Sequence, residues 1–411
     1  MKNLFKALSA LLIIFALVAC SADTGDVDSN VVAQGVTETE VLVANCAGTS
    51  GALSTVGVPF NAGIEAYFDM VNEAGGVNGR QIRFIHQDDE ADPTKAVTCA
   101  QTMVEDEKIF AFVGHFYTGS IVATYDYITE QGVPMVYYAS GVNTLFNEKA
   151  EGKDRLSFPV QPILITEGQV MVARAFANFE AKKIGMIYTN DDAGKDMLNG
   201  AQAKAAELGI EFVAEQVAAD ATDVSAAVTN ILNQDVDVIL GGSIQTTIPT
   251  IIAGLAAQNN SAPVITSYNN ADGIVASQIY PEANGKFEVY ASGWIDLTQE
   301  AAAQDLADFL ANINPDHAGS AFATAGWIAG HFFTEGLKAV GEETLSWDNY
   351  VDALENATVR IPFGGNVDFK NGRRVGTDSM TLMQLGMAEG AEAPGWSLVY
   401  PLQNIEEILG S

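Results

Sequence analysis

Val41-Leu42-Val43-Ala44, a loop rich in Gly, Ser and Thr, then Ile64, Phe68 and Val71 within a segment that runs from Pro59 to Ala74 and stops at Gly75-Gly76: this stretch reads as strand, turn and helix in succession. The β-rich run suits a strand, the i, i+4, i+7 spacing suits a helix with one apolar face, and the glycine pair ends it. The alternation continues outward, with strands expected over 82–87, 110–113 and 134–137 and helices over 94–107 and 120–130 between them. Past Arg155 the rhythm restarts: strands over 184–188, 211–215, 236–240 and 264–267 alternate with helices over 165–181, 195–208, 224–233 and 248–258. An extended run over 287–295 leads to helices over 301–313 and 321–339, a short helix over 348–356, a turn-rich stretch over 362–376 and a strand-like segment over 379–385. Such alternation builds parallel sheets covered by helices, so the fold class is α/β, in two Rossmann-like lobes.

At the amino terminus Lys2 and Lys6 precede an apolar run over 7–19 that only Ser9 interrupts, and the run ends in Leu17-Val18-Ala19-Cys20. This is the pattern of a signal peptide over 1–19, and its end resembles a bacterial lipobox, which makes Cys20 the expected lipidated first residue. Residues 20–36 are small, polar and acidic, as suits a flexible tether. No later window holds eighteen uncharged apolar residues, so membrane attachment is expected through the acyl chains on Cys20 alone, on the extracytoplasmic side of the cell membrane.

A chain of 411 residues exceeds what one core usually supports, and 48% hydrophobic content packs two domains well. The formal charge of −32 repels nucleic acid and anionic lipid and favours solubility. With Cys20 assigned to lipid, Cys46 and Cys99 remain in a compartment that permits disulfides, and they are expected to pair. Two buried free thiols are the alternative, since spacing does not prove proximity.

The chemistry of an enzyme is not written in any motif: there is no Gly-x-Ser-x-Gly elbow, dinucleotide or phosphate loop, or Cys-x-x-Cys. His86, His115, His317 and His331 are scattered, so no catalytic residue, metal ligand or cofactor is assigned. The acidic run Asp88-Asp89-Glu90 with Asp92 lacks the glycine and distal glutamate of a calcium loop and reads as a solvated turn, with Asp92 capping a helix that Pro93 begins.

Ligands of open α/β sheets collect beyond the carboxyl ends of the strands. The loops there, over 46–57, 114–120, 138–144, 189–194, 242–246 and 268–273, are rich in Ser, Thr, Asn, Gly and Tyr. The candidate ligand-binding residues they hold are Thr55, Tyr117, Thr118, Ala139, Ser140, Gly141, Ser243, Gln245, Tyr268 and Asn269. Tyr137 and Tyr138 point to opposite sides of a strand, so one of them at most faces a cleft.

Asn72-Glu73-Ala74-Gly75-Gly76-Val77-Asn78-Gly79-Arg80, Asp88-Asp89-Glu90-Ala91-Asp92-Pro93-Thr94-Lys95-Ala96, Phe112-Val113-Gly114 and Gly132-Val133-Pro134, in this order, resemble the branched-chain amino-acid binding family, the type I periplasmic binding proteins that serve ABC importers. The resemblance covers about 37–385. It implies two lobes, 37–158 plus 295–361 and 159–294 plus 362–411, joined by a hinge of three crossings near 156–161, 288–294 and 362–369. It also implies a small-molecule solute held by Thr118 in the loop after the third strand and by Ala139, Ser140 and Gly141 after the fourth, with Tyr268 and Asn269 reaching it on closure. Where family members hold an ammonium with an acidic residue this chain has Tyr268-Asn269-Asn270, and where they place tyrosines it has Val56, Ala193 and Ile244. Amides, urea-like compounds and carboxylates therefore stand beside amino acids as expected solutes. The partner implied is an ABC transporter permease, with the protein itself a monomer; a ligand sensor signalling to a membrane partner, or a hydrolase on the same scaffold, are the alternatives.

Overall fold

The computed structural model describes residues 31–410; the expected signal peptide, Cys20 and most of the tether lie outside the described residues. The tether ends earlier than the sequence implies. Ala33 donates its N–H to the Leu345 carbonyl at 3.0 Å and the Gln34 amide donates to the Ile109 carbonyl at 2.9 Å, so this stretch is docked on the body.

The first sheet holds β1 (Glu40–Ala47), β2 (Gln81–Asp88), β3 (Ala111–Phe116), β4 (Met135–Ala139) and β5 (Ser157–Phe158), all parallel in the order β2-β1-β3-β4-β5. Helices α1 (Ser54–Glu73), α2 (Pro93–Gln101) and α3 (Thr118–Glu130) connect its strands. The chain then passes through Gln161 into α4 (Leu164–Phe179) and the second sheet, made of β6 (Lys183–Thr189), β7 (Glu211–Val217), β8 (Val238–Gly242), β9 (Val264–Thr266) and β10 (Val289–Gly293). Helices α5 (Asp192–Leu208), α6 (Ser225–Leu232), α7 (Ile248–Ala257) and α8 (Gly273–Ala283) join these strands. Their parallel order, β10-β9-β8-β6-β7, repeats the doubly wound pattern of the first sheet.

After β10 the chain returns to pack α9 (Ala303–Asn312), α10 (Ala321–Val340) and α11 (Trp347–Asn356) with the first sheet's elements, α10 lying along α1. A small antiparallel pair, β11 (Thr358–Arg360) and β12 (Asn366–Asp368), precedes the last passage. The chain ends with β13 (Ser379–Gly386) and β14 (Gly395–Asn404), added antiparallel to the edge of the second sheet, and α12 (Ile405–Gly410). Among the described residues no helix is long and apolar enough to cross a membrane.

Four readings of the sequence need correction. The first helix begins at Ser54, five residues before Pro59, which sits inside it. The helix expected over 94–107 stops being regular at Gln101 and continues as a π-helical turn over Thr102–Asp106. Helix α8 and strand β14 were not expected from the sequence at all. The acidic turn after β2 is only partly solvated: Asp92 caps α2 by accepting from the Thr94 and Lys95 N–H groups, but Asp89 is buried and accepts from Ser120 Oγ at 2.8 Å, tying the turn to α3. Cys46 and Cys99 form a disulfide between β1 and α2, inside an apolar cluster with Phe112, Ile121 and Tyr138.

Candidate functional site

A cleft of about 540 Å³ lies between the carboxyl ends of the two sheets. Of the candidates, Tyr117, Thr118, Ala139, Ser140, Gly141, Gln245, Tyr268 and Asn269 all line it. Thr55 does not. Because α1 starts at Ser54, Thr55 belongs to its first turn and is exposed. Ser243 also lies off the cleft surface: its side chain is enclosed in the wall, and its carbonyl accepts from Asn270 Nδ2 at 2.8 Å. The two adjacent tyrosines divide as strand alternation requires, Tyr137 toward the cleft and Tyr138 into the apolar cluster around the disulfide.

Strand ends set this geometry. Tyr117, between β3 and α3, has φ 76°, and Tyr137 and Gln245 also have positive φ, at 52° and 40°. Such backbone is costly for residues with a Cβ and persists where the surroundings over-determine it. From the first turn of α3, Thr118 places its Oγ1 2.9 Å from Ser140 Oγ in the loop after β4, while Ser140 Oγ also accepts from the Val142 N–H at 3.1 Å. Gly141 is there because nothing larger fits: a Cβ would stand 2.1 Å from the Pro162 carbonyl oxygen and 2.8 Å from Tyr268 Oη.

Tyr268 is buried in the cleft wall. Its hydroxyl lies 2.9 Å from the Gln161 side-chain amide and 3.1 Å from the Pro162 carbonyl, and burial raises its pKa well above the ordinary phenol value. Behind it Glu167 on α4, fully buried, accepts from the Tyr268 N–H at 2.7 Å and from Ser267 Oγ at 2.8 Å. Desolvation pushes the Glu167 carboxyl up to about 8 despite those two hydrogen bonds. On the next residues Asn270 accepts from the Gln245 N–H at 2.6 Å and donates to Thr266 Oγ1 at 2.7 Å, joining the loops after β8 and β9.

Sequence reading missed the walls contributed by the crossings and the final strands: Gln161 and Leu164, Trp294 to Thr298, Ser320 and Phe322 at the start of α10, and Met383, Trp396 and Leu398. Trp294 was legible only as part of a hinge segment, and Trp396 carried no signal. The lining is mostly apolar and aromatic. Asp296 is its acidic member, with Oδ1 accepting from the Thr298 N–H and Oγ1; no Lys, Arg or His lines the cleft among the described residues. Nor, among those residues, does any group of His, Cys, Asp and Glu stand in metal-holding geometry. His115 is buried beneath the first sheet, its ring bonded to the Cys46 N–H and Thr124, and burial lowers it to about 4.

Contacts also cross the cleft mouth. Asp196 on α5 accepts from the Asn143 N–H at 2.6 Å, and Asp272, which caps α8, accepts from the Ala321 N–H of α10 at 3.2 Å.

A family model described as a periplasmic binding protein matches residues 40–391. The chain is 27% identical over 246 residues to a Leu/Ile/Val-binding protein homologue of Brucella abortus, a match that spans 60% of this chain and 64% of that relative. A fatty acid ABC transporter substrate-binding protein from Thermomonospora curvata superposes with a TM-score of 0.79 at 16% identity, covering 93% of this chain and 96% of its own. A branched-chain amino acid ABC transporter protein from Thermus thermophilus with bound valine superposes with a TM-score of 0.75 at 15% identity, covering 92% and 100%. With this match and this pair of doubly wound sheets, the chain belongs to the periplasmic binding protein family, in its type I form and of the type that includes the branched-chain amino-acid binders.

Proposed function

We propose that this protein captures a small amphiphilic organic solute outside the cytoplasmic membrane and delivers it to the permease of an ABC importer, held at the membrane by lipid on Cys20. The observation that carries the reading is the cleft itself: apolar and aromatic walls, a few neutral hydrogen-bonding groups at strand ends, and contacts from both lobes. That combination is what small-molecule sites use.

Size bears on the solute. At the packing of about six ligand atoms per 150 Å³ known for an apolar protein cavity, the cleft takes on the order of 20 non-hydrogen atoms, about twice a branched-chain amino acid. The named relatives and solved structures bind leucine-type amino acids or serve fatty acids; the volume and apolar lining favour a solute with a longer apolar body than valine. Hinge closure over it would complete the contacts made from the two lobes.

A thermal-shift screen across amides, carboxylates and amino acids is the direct test. A bound solute at one hundred times its Kd stabilises by about 2.7 kcal/mol, and Thr118→Ala should weaken the hit by roughly 1 kcal/mol or more in calorimetry, through one lost buried hydrogen bond. A screen without any shift, or a hit indifferent to Thr118→Ala, sinks this assignment of the site. Labelling with a fatty-acid analogue should mark wild type and not Cys20→Ser.

A further inference from the structure

The loop leaving β4 turns two backbone N–H groups, those of Ser140 and Gly141, toward one point beside the cleft, and Tyr268 brings a hydroxyl to the same point from the other lobe. Two convergent N–H groups and a hydroxyl form a cradle for an oxygen, and an anionic oxygen gains most from it. That cradle is filled by the chain itself. The amide oxygen of Gln161 lies 3.0 Å from the Ser140 N, 3.2 Å from the Gly141 N and 2.9 Å from Tyr268 Oη, while its NH2 group donates to Tyr137 Oη at 3.2 Å. The opposite orientation of the amide would set its NH2 against the two backbone N–H groups, so the hydrogen-bond pattern selects this one. Gln161 is only 6% exposed and sits on the segment that crosses between the lobes, where the side chain cannot withdraw without leaving the Ser140 and Gly141 N–H groups unpaired.

We infer that Gln161 is a specificity-determining residue: its amide occupies the oxyanion cradle, so the solute of this protein carries an uncharged, hydrogen-bonding head, such as a carboxamide, and not a free carboxylate. The inference rests on the solute-capture reading and narrows it. Three further observations agree. No cationic side chain lines the cleft among the described residues, the acidic side chain that does so is Asp296, and the chain as a whole carries a formal charge of −32. A carboxylate entering this cleft would give up its hydration with no cation to replace it, and the Ser140 and Gly141 N–H groups are taken by Gln161. What the wall still offers is neutral: Thr118, Ser140, Gln245 and Asn269, each able both to donate and to accept.

The test uses two probes of equal length, octanamide and octanoate, titrated at pH 7.5 and fixed ionic strength into wild type, Gln161→Ala and Gln161→Glu, with folding checked by circular dichroism. Wild type is expected to bind octanamide at least tenfold more tightly than octanoate. Gln161→Ala, which frees the cradle, should move that ratio at least tenfold toward octanoate. Gln161→Glu refills the cradle with a charge, so octanoate should weaken at least tenfold further while octanamide stays within about threefold; this variant decides if the alanine variant does not fold. A wild-type preference for octanoate, an unchanged ratio in Gln161→Ala, or equal loss of both probes in Gln161→Glu overturns the role of Gln161 and leaves amphiphile capture standing. Failure of all three proteins to bind either probe overturns the amphiphile reading and this inference with it.

Discussion

Glu167 shows how much of the cleft is decided by a side chain outside it. It lines no surface, yet it holds the Tyr268 N–H and Ser267 Oγ, and so fixes the loop that carries Tyr268 and Asn269. Burial keeps its proton on up to about pH 8, against an ordinary value of 4.5. Between those values the folded chain binds a proton that the unfolded chain has released, so this group makes stability fall as pH rises from about 4.5 to about 8. Glu167→Gln has no titrating group and can still accept from the Tyr268 N–H through its amide oxygen while its NH2 donates to Ser267 Oγ, reversing that bond; it should flatten that decline and leave the variant more stable than wild type at pH 8. Urea unfolding at pH 5 and pH 8 checks this; an equal pH slope in both proteins contradicts it. From sequence Glu167 was simply one residue of an expected helix, because nothing local marks which helix residue meets a loop a hundred positions away.

At the scale of elements, the β1–α2 connection is the clearest case of a sequence expectation with a stability consequence. The Cys46–Cys99 bond closes a separation of 53 residues, and in the chain-entropy model such a link contributes about 4 kcal/mol. Cys46→Ser with Cys99→Ser should lower the unfolding free energy by about 2–4 kcal/mol in urea titration, with Thr118 at the start of α3 and Ser140 in the loop after β4 still in place. A change below experimental error would mean the pair does not constrain the unfolded chain. The elements that escaped sequence reading have identifiable reasons. Pro401 within Gly395–Asn404 argues against a strand, and the structure resolves this by making β14 the sheet's edge, where a missing N–H is tolerated. Helix α8 carries Pro281 near its end and follows a run of turn-forming residues, Asn269, Asn270, Asp272 and Gly273, of which Asp272 proved to be its cap.

For the whole molecule, two carboxylates bridge the lobes across the cleft. Asp196 and Asp272 each accept a backbone N–H from the opposite side of the cleft, and burial raises both carboxyl groups above the ordinary aspartate value. Removing one biases the equilibrium toward an open form, and apparent affinity falls with the fraction of closed protein. Asp196→Ala is the cleaner change, since Asp272 also caps α8. It should increase the radius of gyration in small-angle scattering and weaken solute binding several-fold without lowering the melting temperature by more than a few degrees. Identical scattering and affinity would show that this contact follows closure and does not favour it.

The order of residues along the chain determined the alternation of strands and helices, the two doubly wound sheets, the loops after β3, β4, β8 and β9 as walls of the cleft, and the opposite destinations of Tyr137 and Tyr138. Each of these follows from periodicity or from turn chemistry within about thirty residues, and such short-range rules are written locally. Tertiary structure alone decided that Thr55 faces solvent, that Ser243 is walled in, and that Gln161, Asp296, Phe322 and Trp396 share one cleft. These residues arrive from hinge crossings, a helix start and an edge strand far apart in sequence. Their meeting depends on how two sheets face each other, which no local pattern of residues encodes.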